Sequence, residues 1–307
     1  MKMLIIGASG QIGSYLAETL RSSHCVTGTF YAHPRQALVQ MDMTARKLVD
    51  KMVGQLAPDV ILIPAAMPNV EVCQQSPDLC CKVNAKGVFN VLDAAEAVQA
   101  KVVYFSTDYI FDGINGPYRE TDRPNPKSVY GKVKYKVEQR ILQAQVPFLI
   151  IRTTVVYSRE NQGKNFAMGL INRLKKGEAV KVPYDQVVTP TYAPNLCQVV
   201  RELIELGKEG IYHVAGPDLM DRYEFSLEVA KTFGLGQNLI IPVSTVELGQ
   251  KAPRPLNGGL RIDRVQAQVS TPLMGVREGL AEMKRQLDRH PFGCVSFRSK
   301  RRTNDGI

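Results

Sequence analysis

Short apolar runs organise the first half of the chain. They lie at Lys2 to Ile6, Cys25 to Phe30, Asp59 to Ile63, Lys101 to Phe105 and Phe148 to Ile151. Each has the length and bounding turn signals of a buried strand. Segments of helical period stand between them. Tyr15, Leu16, Ala17 and Leu20 mark one, Ala45 to Leu56 a second, and Val83, Val88, Val91, Leu92 and Ala95 a third. A fourth carries Tyr130 and Lys134. Strands alternating with helices predict an α/β fold, a Rossmann-type doubly wound parallel sheet. In such a sheet, ligands sit beyond the C-terminal ends of the strands, where Gly10, Ala65, Ala66 and Thr107 fall.

After Arg152 the pattern loosens. Helices are expected over Phe166 to Leu174, Asn195 to Leu206, Tyr223 to Phe233 and Val276 to Leu287, with a strand and turn from Gly210 to Gly216. The division expected is a first domain over 1–155 and a smaller mixed α/β substrate domain over 156–290. The chain crosses between the two more than once. A basic tail over 291–307 reads as disordered.

The first turn is Gly7-Ala8-Ser9-Gly10-Gln11-Ile12-Gly13. Strand, glycine turn and helix in that order suit a dinucleotide: glycine lets the backbone approach a pyrophosphate, and the helix N-terminus offers N–H donors to it. An acid at the end of the second strand would bind the ribose 2′-hydroxyl of NAD. None is there, and His33 and Arg35 follow, so the reading leans toward NADP(H) over NAD(H). Asp42 could cap the following helix.

Tyr130 and Lys134 are one helical turn apart and share a face. An ammonium beside a phenol favours the phenolate, so the Tyr130 pKa is expected to fall below about 10. Thr107 leaves the apolar run before them.

Composition narrows the class. Of the 307 residues, 44% are hydrophobic and 22% charged, ordinary for a soluble globular protein. No apolar run is long enough to span a membrane. Met1 to Gly7 reads as a first strand rather than a signal peptide. The net charge of +10 lies partly in Arg298, Lys300, Arg301 and Arg302. A basic body suits a phosphate-bearing cofactor or substrate, and no nucleic-acid-binding motif accompanies it. The six cysteines form no C-x-x-C pair and read as reduced thiols of a cytoplasmic protein. His24, His33, His213 and His290 lack metal-ligand spacing, and no metal is expected.

Taken in order, several motifs resemble those of the extended short-chain dehydrogenase/reductases, and within them the dTDP-4-dehydrorhamnose reductases. They are the glycine turn, Ala65-Ala66, Ser106-Thr107-Asp108-Tyr109-Ile110-Phe111-Asp112-Gly113 and Tyr130-Gly131-x-x-Lys134. Arg152-Thr153-Thr154, Asn165-Phe166, Asp185-Gln186, Thr189-Pro190-Thr191 and Arg254-Pro255 follow. The resemblance implies hydride transfer from a reduced nicotinamide to C4 of a nucleotide-linked 4-keto sugar. It makes Tyr130 the proton donor, Thr107 a hydrogen-bond donor, and Lys134 the residue that tunes the tyrosine and holds the nicotinamide ribose. It places Gly7, Gly10, Gln11, Ile12, Gly13, Asp42, Met43, Ala65, Ala66, Met67 and Phe105 against the cofactor. Thr107, Asp108, Val155, Asn165 and Arg254 fall on the substrate side. Val155 stands where the family usually carries a tryptophan, which leaves the sugar nucleotide open. A homodimer is allowed. Two other readings stay open: a sugar-nucleotide epimerase, and a non-catalytic NADP-binding regulatory subunit similar to the methionine adenosyltransferase beta subunit.

Overall fold

The computed structural model describes residues 1–160 and 163–289, and the tail expected over 291–307 lies outside them. Strands β1 (Lys2–Ile5), β2 (Cys25–Phe30), β3 (Leu38–Gln40), β4 (Val60–Ile63), β5 (Lys101–Thr107) and β6 (Phe148–Thr153) join with Gly210–His213 in one parallel sheet. The spatial order is Gly210–His213, β6, β5, β4, β1, β2, β3. The chain runs outward from β1 to β3, then returns across β1 to β4. Strand order therefore reverses between β1 and β4, where a doubly wound sheet leaves a ligand crevice.

Adjacent strand residues point to opposite faces, so a run apolar at every position feeds two cores. Ile5, Leu62, Val103 and Leu149 face one side, packed by Leu16 and Leu20 of α1 (Gln11–Leu20). Leu4, Ile61, Val102 and Ile150 face the other. There they meet α2 (Arg46–Leu56), with Val49 and Val53 buried. Two short helices follow β4, α3 (Val70–Gln75) and α4 (Pro77–Cys81), then a π-helical stretch, Lys82–Lys86. α5 (Gly87–Val98) and α6 (Val129–Ile141) complete that layer. Each fully buried aliphatic side chain here is worth about 1.5–3 kcal/mol in transfer free energy.

The second half of the chain contributes to both parts of the molecule. α7 (Phe166–Lys175) packs in a smaller core around Tyr157, Tyr192 and Phe225. α8 (Ala193–Glu205) instead returns to the first core beside α1, through Leu196, Val200 and Leu203, and leads to the sheet strand Gly210–His213. α9 (Arg222–Phe233) and the helix Val276–Arg289 close the smaller core. Among the described residues, no helix is long and apolar enough to cross a membrane.

Two local expectations differ. β3 has no counterpart in the hydrophobic pattern, because it is a short edge strand with one half-buried and two exposed residues. Asp42 does not cap α2. That helix begins at Arg46, and Asp42 accepts from the backbone N–H and hydroxyl of Thr44, closing a turn before the helix.

Candidate functional site

The glycine turn is built for close approach. Gly7 has φ +89°, a left-handed conformation that a side chain disfavours. A Cβ on Gly13 would lie 2.2 Å from the Gly7 carbonyl oxygen, so only glycine lets α1 pack against the turn. Thr29 of β2 holds the turn from beneath, its hydroxyl accepting from the Gly7 N–H at 3.1 Å. Gly10 caps α1 without a side-chain hydrogen bond, leaving the N–H groups of the first turn open to an anion. Gln11 turns its amide away, donating to the Val156 carbonyl and the Ser158 hydroxyl. Ile12 packs against the first core.

Beside the turn lies a cavity of about 220 Å³, lined in part by Gly7, Tyr31, Asp42, Met43, Ala65 and Lys82. Ala66 also borders it. Met67 is held from behind: Asn84 accepts from its N–H at 2.7 Å and donates to its carbonyl at 3.0 Å. The open N–H groups, the cavity and the glycines that admit backbone contact fit an extended dinucleotide. Arg35 is exposed on the loop after β2. Nearby, Lys164 reaches His33 at 3.5 Å.

β5 is longer than the apolar run that announces it. It continues through Ser106 and Thr107, pairing Thr107 with Thr153. The Thr107 hydroxyl donates to Asp108 Oδ1 at 3.0 Å, and the Thr154 hydroxyl donates to Asp108 Oδ2 at 2.8 Å. Asp108 is 2% exposed. Burial raises its carboxyl to about 6, against the lowering effect of those two hydroxyls.

α6 starts at the right place because Ser128 caps it, accepting from the Gly131 N–H at 3.1 Å. Gly131 lets that first turn rest on the backbone of Tyr109, where a Cβ would come 2.1 Å from the carbonyl oxygen. Tyr130 thus lies edge-on to the Tyr109 ring, centroids 5.8 Å apart. Further along α6, the Lys134 ammonium donates to the Phe105 carbonyl and sits 4.2 Å from the Tyr104 ring centre.

The expected fall in the Tyr130 pKa does not occur. Burial pushes the phenol well up, and the Asp108 carboxylate adds to it. Burial also lowers Lys134, to about 7, although Glu138 favours its charged form. Sequence spacing places the two groups on one helix but is blind to desolvation, which is the largest cause of both shifts. The result is a neutral phenol at neutral pH.

Glu138 anchors this arrangement. One turn beyond Lys134, it pairs with Arg152 of β6 at 2.7 Å, and the Ser106 hydroxyl donates to it. Both charged side chains are almost fully buried. The pair locks α6 to β5 and β6, and so fixes Tyr130 and Lys134 relative to Thr107.

On the open side, Arg254 donates to the Tyr109 hydroxyl and pairs with Glu71 of α3, both at 2.8 Å. Arg222, on the first turn of α9, stacks over the Phe166 ring at 3.9 Å and feels the charges of Tyr109, Arg254 and Asp108. The Nε atoms of both arginines are buried without a hydrogen-bond partner. Arg222 has no counterpart in the sequence reading, since it lies in an ordinary helix start and only the fold turns it inward. Asn165 caps α7, accepting from the Met168 N–H and donating to the Ser158 carbonyl. Val155 is half-buried, with φ +39°, strained for a β-branched residue.

A glycine turn at a sheet's switch point, with Thr107, Tyr130 and Lys134 gathered two strands away, is the arrangement of an extended short-chain dehydrogenase/reductase. The model of the RmlD substrate binding domain matches residues 1–289, and the chain belongs to that family. The chain is 30% identical over 287 residues to the dTDP-4-dehydrorhamnose reductase of Mycolicibacterium smegmatis, covering 92% of this chain and 84% of that one. It is 28% identical over 291 residues to methionine adenosyltransferase 2 subunit beta of Xenopus tropicalis, covering 91% and 87%. The dTDP-4-dehydrorhamnose reductase structure from Clostridium acetobutylicum superposes with a TM-score of 0.86 at 32% identity, over 94% of this chain and all of that one. The Bacillus anthracis reductase in complex with NADP gives 0.86 at 29% identity, over 93% and 99%.

Proposed function

We propose that this protein is a dTDP-4-dehydrorhamnose reductase, an NADP(H)-preferring enzyme that reduces the 4-keto group of a nucleotide-linked sugar. One observation carries the reading. Thr107, Asp108, Tyr130 and Lys134 converge at the end of β5, between a dinucleotide cradle and two half-buried arginines whose buried Nε donors lack partners. An unpaired buried donor is costly unless a ligand completes it. The diphosphate of a sugar nucleotide is an anion of the right class for Arg222 and Arg254.

The cofactor, when bound, supplies hydride to the ketone carbon. Gly7, Gly10, Ile12, Gly13 and the backbone N–H of Gln11 would hold its diphosphate. Asp42, Met43, Ala65, Ala66, Met67 and Phe105 would line its length. Lys134 would bind the nicotinamide ribose. As the ketone oxygen gains charge, the Thr107 hydroxyl turns from Asp108 toward it, and Tyr130 gives up its proton. The neutral phenol is then in the protonation state that a reduction requires. Asp108 orients Thr107, and Val155 and Asn165 border the sugar side. The preference for NADP(H) rests on the missing acid after β2 and on His33, Arg35 and Lys164 near that strand's end.

The test follows NADPH oxidation with dTDP-4-dehydrorhamnose. Wild type is expected to turn over. Tyr130→Phe is expected to retain cofactor affinity while kcat falls by about 10²–10⁴-fold, the usual range for losing a positioned acid. Cofactor binding without oxidation of NADPH on any 4-keto sugar nucleotide would favour the regulatory-subunit reading.

A further inference from the structure

Behind the cofactor cleft lies a pair of cysteines that the reaction does not use. Cys73 is on α3 and Cys80 on α4, and both are 0% exposed. Their sulfurs converge on one atom. Asn84 Nδ2 lies 3.8 Å from Cys73 Sγ and 3.5 Å from Cys80 Sγ, and each thiol shifts the other's pKa. The same Asn84 grips both backbone groups of Met67, and the Cys73 thiol donates to the Met67 carbonyl at 3.5 Å. Met67 directly follows Ala65 and Ala66, which line the cavity. Leu79, Lys82 and Val83, which flank Cys80 in the chain, line that cavity.

We propose that Cys73 and Cys80 are an oxidant-responsive dithiol, a modification site whose disulfide weakens cofactor binding. The oxidant is hydrogen peroxide. The Cys80 thiolate attacks its O–O bond, taking one oxygen as a sulfenic acid and releasing water. The Cys73 sulfur then attacks the Cys80 sulfur, the S–S bond forms, and the sulfenic oxygen leaves as a second water. Two thiols are oxidised by two electrons, and one hydrogen peroxide is reduced to two waters. Pairing with Cys73 lowers the Cys80 thiol, which favours the attacking thiolate.

The structural consequence follows from bond lengths. A disulfide draws the sulfurs to about 2.05 Å, so α3 and α4 must shift toward each other. The Cys73 S–H that bonds Met67 is lost, and the Asn84 amide loses its place between two thiols. Met67 loosens, and with it the wall that the cofactor lies on. The inference uses the cofactor placement proposed above but not the identity of the keto sugar.

The full-length protein is treated with hydrogen peroxide, and NADPH affinity is read by fluorescence without any sugar present. Mass spectrometry is expected to find a Cys73–Cys80 cross-linked peptide. Affinity should fall at least fivefold and return with dithiothreitol. Bound NADP+ should slow the cross-linking, because a cofactor in the cavity covers Leu79, Lys82 and Val83 beside Cys80. Cys80→Ser should keep its affinity through the same treatment. If that variant fails to fold, Cys73→Ala serves in its place, and peptide mapping of wild type decides the site by itself. Absence of the cross-link, a cross-link with unchanged affinity, or equal loss in Cys80→Ser overturns the proposal. A reduced wild type that binds no NADPH would instead overturn the cofactor reading.

Discussion

At the scale of single residues, desolvation decides the chemistry. Lys134 is buried, and its ammonium is held near pH 7 by loss of water, opposed by Glu138. Its folded pKa is depressed below that of a free lysine, so the free protein loses the charge as pH rises through about 7. A cofactor that needs the ammonium should therefore bind more weakly above that point. We expect NADPH affinity to decline between pH 7 and 9. Glu138→Gln should move the decline to lower pH, since the Glu138 charge raises the lysine. Fluorescence titrations across pH check both. The motif Tyr-x-x-x-Lys was legible as spacing alone. The direction of the tyrosine shift was not, because burial is a property of what packs around α6 rather than of the two residues. Arg222 was illegible for the same reason: a charged residue at a helix start ordinarily faces solvent.

At the scale of elements, the site depends on close packing at two glycines and one ion pair. Gly13→Ala puts a methyl 2.2 Å from the Gly7 carbonyl oxygen, against backbone that cannot yield as a flexible side chain would. Its expected effect is loss of cofactor affinity by at least tenfold, with the melting temperature lowered, read by titration and circular dichroism. Glu138→Ala leaves Arg152 buried without its carboxylate. Removing one partner of a buried pair typically costs about 3–5 kcal/mol, so chemical denaturation should show a loss of that order. The glycine turn was readable because left-handed backbone and tight approach favour one residue type. The pair was not, because Glu138 and Arg152 sit on a helix and a strand whose contact arises only on folding. β5 was read two residues short, since Ser106 and Thr107 are polar and only their pairing with β6 extends the strand.

At the scale of the whole molecule, the two halves of the chain share one core. His213 ends the strand that the C-terminal half adds to the sheet. It is 0% exposed, and burial next to Arg152 lowers its pKa to about 3. Unfolded, it would take a proton near pH 6.5; folded, it does so only near 3. The unfolded state thus binds more protons in that window, and this residue's contribution to stability is lost as pH falls from about 6.5 toward 3. Thermal melts should fall over that range, and less steeply for a His213→Gln variant that folds.

The chain's own pattern was enough to determine an alternating α/β sheet, a glycine turn after β1, and Tyr130 and Lys134 one helical turn apart. Those features follow from local rules: side-chain period, backbone freedom at glycine, and spacing along a helix. Tertiary structure alone decided that the Tyr130 pKa rises rather than falls, that Arg222 turns inward beside Arg254, and that Cys73 and Cys80 meet at Asn84. Those outcomes depend on loss of water and on contacts between distant segments, which no local pattern encodes.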